Sequence, residues 1–295
     1  MARPRIVVIL GPTASGKSAL AVQLAKKFSG EIISADSRQV YRHLDIGTGK
    51  TTKKEMCGIP HYCIDIANPK KIFTVDEYRR AAENAIAKIY ARGKLPIIAG
   101  GTGFYIDAIL YDTLYPHVPP DWRLRVGLEQ EQTEALFKTL KKLDPMRAET
   151  IDKHNRRRLI RAIEIIKKSG WIPPPIKKTR FDALTIGIKT DPAVLRNKIA
   201  RRLADWFRAG LVNEVKNLHE KHGLSWKRLE EIGLDYKTVA LYLQGKLSKE
   251  EMIARTDTEI WHYAKRQMTY FKKIKDVRWV TSTKSSEKLV KDFFQ

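Results

Sequence analysis

Eight residues, Gly11-Pro12-Thr13-Ala14-Ser15-Gly16-Lys17-Ser18, constrain the fold of this chain more than any others. They satisfy the pattern G-x4-G-K-[ST] in full. They lie between a β-branched run, Ile6-Val7-Val8-Ile9-Leu10, and an apolar-periodic segment that predicts a helix from Gly16 to about Phe28. A strand entering a glycine turn and leaving as a helix gathers backbone N–H groups and the positive helix end around an anion. Lys17 adds a mobile cation, and Ser18 a hydroxyl able to ligate Mg²⁺. The strand is continuously apolar rather than alternating, as a parallel sheet buried on both faces requires.

The same logic extends along the first hundred residues. Glu31-Ile32-Ile33-Ser34 reads as a second strand, Val75 to Tyr90 as an amphipathic helix, and Leu95-Pro96-Ile97-Ile98-Ala99 as a strand ending at Gly100-Gly101. Strand and helix alternate, which predicts an α/β fold, a P-loop-type parallel sheet flanked by helices. Tyr115 to Pro120 is then proline-marked, Asp121 to Lys168 is helically periodic and loaded with Arg and Lys, and Trp171-Ile172-Pro173-Pro174-Pro175 closes the stretch. This predicts an inserted all-helical subdomain over 115–181, hinged at its prolines, within a core formed by 1–114 and 182–295. Ala183 to Ile188 returns to strand character. Helical patterns follow at Pro192 to Ala209, Leu211 to Lys221, Tyr236 to Leu243 and about Glu250 to Lys275, then a short strand, Val277 to Val280, and a polar tail.

Charge narrows the partner. Lys and Arg number 56 against 33 Asp and Glu, a net +23, which points to a polyanion: nucleic acid or an anionic membrane surface. No apolar run approaches the ~20 residues of a membrane span, and the apolar stretch behind the amino-terminal arginines is too short for a secretory leader, so a cytoplasmic protein without membrane contact is expected. Cys57 and Cys63 lack the histidine spacing of a zinc site and read as ordinary residues. All six tryptophans follow position 120, so the aromatic surface belongs to the insertion and the carboxy-terminal half.

Phosphate binding need not mean nucleotide hydrolysis. A nucleoside triphosphatase needs an apolar strand ending in Asp or Glu to hold metal and place water. Here Leu95 to Ala99 ends in Gly100-Gly101-Thr102-Gly103, and Asp65 follows only a poor apolar run and reads as structural. The loop therefore suits a diphosphate that is a leaving group. After the second strand, Asp36 emerges at the sheet edge that carries the loop, where it can act as a base or accept a hydrogen bond from an amine.

GPTASGKS, the string DSRQVYRHLDIGTGK over Asp36 to Lys50, and GGTGFY at Gly100 to Tyr105 resemble the tRNA dimethylallyltransferase (tRNA isopentenyltransferase) family of bacterial type. The pattern continues through NRRRLIRAIE at Asn155 to Glu164 and YAKRQMT at Tyr263 to Thr269, so it spans roughly positions 6 to 280.

The resemblance implies transfer of a dimethylallyl group from its diphosphate to N6 of the adenine at tRNA position 37, next to the anticodon, with Mg²⁺ as cofactor and a chain acting as a monomer. Gly11, Pro12, Thr13, Ala14, Ser15, Gly16, Lys17 and Ser18 would bind the diphosphate, with Arg158 or Arg161 as a second clamp. Asp36 would take or orient the amine proton, with Thr13, Lys17 and Thr102 at the reacting groups. Asp36, Ser37, Arg38, Gln39, Thr102, Arg157, Arg158 and either Arg123 or Arg125 would meet the tRNA. By spacing, Leu159, Ile163 and Ile166 form the buried stripe of their helix, which leaves Arg157, Arg161 and Lys168 on another face. Trp261, Ala264, Met268 and Phe271 likewise space as a core stripe. A small-molecule or nucleoside kinase on the same phosphate loop is the alternative, and a non-catalytic RNA-binding module a third reading.

Overall fold

β1 (Arg5–Leu10) shows why its sequence is apolar without interruption. Ile6, Val8 and Leu10 pack into one hydrophobic cluster and Val7 and Ile9 into another, so both faces of the strand are covered. Each such side chain contributes about 1.5–3 kcal/mol on burial, which makes β1 the centre of the fold. The computed structural model describes residues 3–111, 118–171 and 179–295; residues 115–117 and 172–175 of the two expected hinges lie outside them.

After β1 come α1 (Lys17–Lys27), β2 (Gly30–Ser34), the single turn α2 (Lys53–Met56), β3 (His61–Tyr62), α3 (Val75–Ala91), β4 (Leu95–Gly100) and α4 (Gly103–Leu110). The insertion holds α5 (Trp122–Gln130), α6 (Thr133–Leu143), α7 (Pro145–Thr150) and α8 (Arg156–Ser169). Then follow β5 (Asp182–Ile188), α9 (Pro192–Ala209), α10 (Leu211–Glu220), α11 (Trp226–Ile232), α12 (Leu234–Leu243), α13 (Lys249–Phe271), β6 (Arg278–Val280) and α14 (Thr283–Phe294). The six strands form one all-parallel sheet in the order β3-β2-β4-β1-β5-β6, the α/β architecture expected from the sequence. Because β1 lies between β4 and β5, the chain leaves β1 in one direction to reach β2 and later returns on its other side. The crevice at the carboxyl ends of such strands is where ligands of open α/β sheets bind.

One face of the sheet is covered by α3, α4 and the α10–α13 helices, through Tyr78, Ile86, Ile106, Leu211, Tyr236 and Phe271. The other is covered by α1 and α14, through Leu20, Leu24 and Val290. The expected polar tail is therefore a helix: Ser282 caps it by accepting from the Ser285 N–H at 3.2 Å, Val290 is buried, and Glu287 pairs with Lys27 at 2.5 Å. Its serines hid an apolar stripe. The single helical stretch read from Asp121 to Lys168 is four helices, broken where Gln132, Asp144 and Asn155 stand at N-cap positions.

Residues Met1–Tyr111 with Thr179–Gln295 form one compact unit, and Asp112–Lys178 a second. The second has its own core of Leu128, Leu136, Leu140, Leu159, Ile163 and Ile166. Among the described residues, no helix is long and apolar enough to cross a membrane.

Candidate active site

The phosphate loop follows β1 and opens α1 at Gly16, whose φ of 92° lies in the left-handed region. Lys17 reaches back over the loop and donates to the Pro12 carbonyl at 2.7 Å. Burial, reinforced by the Arg202 guanidinium and opposed by Asp36, lowers its pKa to about 8. Gln267 on α13 fixes the loop from the side: the Thr13 N–H donates to its Oε1 at 2.8 Å, while its Nε2 donates to the Gly101 carbonyl at 2.8 Å. Arg202 on α9 stacks 4.6 Å over the Trp206 ring and places Nη1 3.4 Å from Thr13 Oγ1. Burial holds its pKa below the usual arginine range.

β2 delivers Asp36 to the same edge. Its Oδ1 accepts from the backbone N–H groups of Arg38 (2.9 Å) and Gln39 (3.3 Å), a turn that fixes the carboxylate. Thr102, at the start of α4, accepts from the Ser37 N–H at 3.0 Å and donates to Ser37 Oγ at 3.3 Å. The Tyr263 hydroxyl is tied to Thr102 and Arg38, and burial raises its pKa. Arg38 lies 5.2 Å over the Tyr263 ring and donates Nε to the Ile232 carbonyl at 3.1 Å. Gln39 is buried and braces its own surroundings: Oε1 accepts from Ser34 Oγ at 3.0 Å and Nε2 donates to the Gly49 carbonyl at 3.1 Å.

Thr13, Lys17, Ser18, Asp36, Arg38 and Arg202 thus line one cleft. Gly47, Thr48, Gly49, Asp235 and Tyr263 complete its walls. Asp235 is only 1% exposed, and burial, partly offset by Arg38, raises its pKa to about 7. Asp65, by contrast, pairs with Lys50 at 2.5 Å and stabilises the loop after Asp36.

Sequence reasoning missed Arg202 and Asp235. Arg202 is one of many basic residues on an amphipathic helix, and nothing in its spacing separates it from a solvated neighbour. Asp235 faces inward on α12 although its residue type favours the surface.

The second unit uses its arginines in two ways. Glu164 is fully buried on α8 and accepts from Arg125 Nε and Nη2, both at 2.9 Å, from the Asp121 N–H at 2.6 Å, and from Arg161 Nη1. Burial pushes the Glu164 pKa up, but the bonds from Arg125 and Arg161 outweigh it and hold the carboxyl below its ordinary value. Arg161 also donates to the Val118 carbonyl at 2.7 Å. Arg123, Arg157 and Arg158 are exposed, as is Trp122, so α5 and α8 present a basic surface with an aromatic within it.

A phosphate loop, a fixed carboxylate and a cationic wall at one edge of a parallel sheet define a P-loop-type α/β enzyme that acts on a phosphorylated substrate. The IPP transferase family model matches residues 39–274, and the chain belongs to that family. It is 40% identical over 304 residues to the tRNA dimethylallyltransferase of Acetivibrio thermocellus, covering 97% of this chain and 95% of that protein. The crystal structure of the tRNA isopentenylpyrophosphate transferase of Bacillus halodurans matches with a TM-score of 0.73 at 35% identity, over 99% of this chain and 96% of that one. A eukaryotic dimethylallyltransferase, captured acting on tRNA, matches with a TM-score of 0.81 at 29% identity, over 96% of this chain and 75% of that one.

Proposed function

We propose that this protein transfers the dimethylallyl group of dimethylallyl diphosphate to N6 of the adenine at tRNA position 37, next to the anticodon, and releases diphosphate. One observation carries the reading. Thr13, Lys17 and Ser18 of the phosphate loop converge with Asp36 in a single cleft, while the position after β4 that would hold a triphosphatase's metal carboxylate is glycine.

In this reading the C1–O bond to the diphosphate breaks as the N6–C1 bond forms, and one amine proton passes to Asp36. Negative charge grows on the departing diphosphate, where the loop N–H groups, Lys17 and Arg202 are already in place to stabilise it. Thr102, which anchors the backbone at Ser37, keeps the Asp36 turn at a fixed distance from the loop. An adenine within an anticodon loop must leave its stack to reach such a cleft, as in other base-modifying enzymes. Arg38 and Tyr263 offer it a cationic and an aromatic surface, and the exposed Arg123, Arg157 and Arg158 of the second unit offer partners for tRNA phosphates.

Ser18 lines the cleft beside Lys17, and its hydroxyl is a hard oxygen donor; Mg²⁺ keeps most of its coordination for substrate phosphate and water, so one protein hydroxyl fits that ion. Ser18 would hold it, and when bound it would neutralise charge on the diphosphate. The protein would act as a monomer in the cytoplasm.

Incubation with unmodified tRNA, Mg²⁺ and either labelled dimethylallyl diphosphate or γ-labelled ATP tests the proposal. Prenyl label entering tRNA supports it. Phosphoryl label entering a small molecule instead establishes the kinase alternative and overturns it.

A further inference from the structure

Glu214 on α10 does not line the cleft, yet it is the most fully used acceptor near it. Its Oε2 accepts from the backbone N–H groups of Asp45 (3.0 Å) and Ile46 (2.7 Å), and its Oε1 from the Gly47 N–H (3.2 Å) and the Tyr236 hydroxyl (2.7 Å). A loop that belongs to no helix or strand must find partners for its N–H groups elsewhere, and here one carboxylate supplies three in a row. The residues fixed in this way lead directly into the cleft wall, Gly47-Thr48-Gly49.

Glycine stands at two of the wall's three positions, and neighbouring side chains close on both. A methyl group on Gly47 would collide with the Asp235 carboxyl and the Tyr236 ring, and one on Gly49 with the Arg202 guanidinium. Arg202 is therefore confined between the loop on one side and Thr13 of the phosphate loop on the other. On the far side of the loop, Thr48 Oγ1 donates to the Leu44 carbonyl at 2.7 Å and Gln39 Nε2 to that of Gly49. These bonds fix the loop's internal shape, and Glu214 joins it to α10 and, through the Tyr236 hydroxyl, to α12, which also carries Asp235.

We infer that Glu214 is a positioning residue for the diphosphate half of the site: it holds the 45–49 backbone so that Arg202 stays aimed at the phosphate loop. The inference rests on the reading that the cleft takes an allylic diphosphate. Tyr236 helps by donating to the same carboxylate. The base-binding half is held independently, by Asp36 accepting from its own turn and by Thr102.

Glutamine at 214 has one acceptor oxygen where glutamate has two, and turns an NH₂ group toward backbone donors, so at least two of the four bonds are lost. The test compares wild type, Glu214→Gln, Glu214→Asp and Tyr236→Phe. Binding of inorganic diphosphate is followed by titration calorimetry, and KM is measured separately for dimethylallyl diphosphate and for tRNA. Glu214→Gln is expected to weaken diphosphate binding and raise the dimethylallyl diphosphate KM about 10- to 100-fold, with tRNA KM within about threefold of wild type, as loss of charge-assisted bonds predicts. Tyr236→Phe should show the same pattern at about two- to fivefold, and Glu214→Asp should recover part of the loss. Wild-type diphosphate binding in Glu214→Gln, or an equal rise in both KM values, overturns the inference. Should that variant fail to fold, unchanged diphosphate binding in Tyr236→Phe overturns it equally. A wild-type protein that binds diphosphate through Glu214 but moves no prenyl label would refute the proposed reaction and leave this inference standing.

Discussion

Lys17 is an ammonium group held where charge is costly, and its removal separates stability from function. Its pKa in the fold is about 8 against an ordinary 10.5, a difference of 10.5 − 8 = 2.5 units. Because the folded value is the lower one, the native state binds this proton more weakly than the unfolded chain does. Below about pH 8 both states carry the charge, and the fold bears the full cost. As pH rises from about 8 toward 10.5 the native lysine releases its proton first, the cost fades and stability increases. At 1.36 kcal/mol per unit the 2.5 units cap the cost near 3 kcal/mol. Part of the side chain still meets solvent and Nζ bonds the Pro12 carbonyl, so about 1–2 kcal/mol is the expected gain when the charge is deleted.

Lys17→Met keeps the stem and loses the charge. At pH 7 it should melt about 2–6 °C above wild type, on the scale of ~2–4 °C per kcal/mol for a chain somewhat smaller than this one, and the advantage should vanish near pH 10. Prenyl transfer should fall by about 10²-fold or more, because preorganised charge at the leaving group is gone. If diphosphate binds the charged amine as proposed, it should bind wild type about tenfold more weakly at pH 9 than at pH 7, and Lys17→Met should lack this lysine-linked dependence. Calorimetry at the two pH values and a diphosphate titration read all of this directly. A variant that melts at or below wild type at pH 7, or a wild-type affinity flat from pH 7 to 9, refutes the buried-ammonium argument.

Asp36→Asn preserves the turn geometry but cannot take a proton. Single-turnover prenyl transfer should drop about 10²- to 10⁴-fold with a much smaller loss of tRNA binding; an equal loss in both would make Asp36 a recognition residue. Neutralising the exposed Arg123 and Arg157 together should flatten the slope of log tRNA affinity against log salt by up to about 2, measured by filter binding, while diphosphate affinity stays unchanged. Arg125→Ala should act through the fold instead: it strips two bonds from a fully buried carboxylate, a loss on the order of 3–5 kcal/mol that limited proteolysis of the insertion would report. Glu164→Gln in the same background should restore part of it.

The central strands were legible because they are covered on both faces, whereas the two-residue edge strand β3, only half-buried, was not read as a strand. A continuous apolar run, unlike an amphipathic one, has few alternatives, and Ile6–Leu10 and Leu95–Ala99 emerged almost residue for residue. The phosphate loop and Asp36 were legible because each sits at the end of such a run. What stayed hidden lies at long sequence separation. Gln267 reaches Thr13 across 254 positions, and Arg202 across 189, and no local pattern encodes either contact. Arg125 and Arg161 read as a basic face, since the partner that neutralises them, Glu164, is a single acid in a helix otherwise rich in Arg and Lys. α14 escaped because serines fill its first turns and only Val290 and its neighbours reveal an inward face.

The end of β4 explains why this phosphate loop suits departure rather than hydrolysis. A side chain at Gly100 would drive its Cβ into the Ala35 backbone, so the strand cannot present a carboxylate there without displacing β2. The next carbonyl, of Gly101, accepts instead from Gln267, whose other end accepts from the phosphate loop at Thr13. A triphosphatase uses this position to hold metal and orient attacking water; here it is a strut between two backbones. For a prenyl transferase that exchange is an advantage in itself. The allylic carbon gains positive character as its diphosphate departs, and any water oriented beside it would capture the group as an alcohol before the weaker amine nucleophile could. On the proposed reading, a cleft that cradles the leaving group on backbone N–H, Lys17 and Arg202, and fixes the Asp36 carboxylate in its own turn, would direct the carbon to the amine that Asp36 holds.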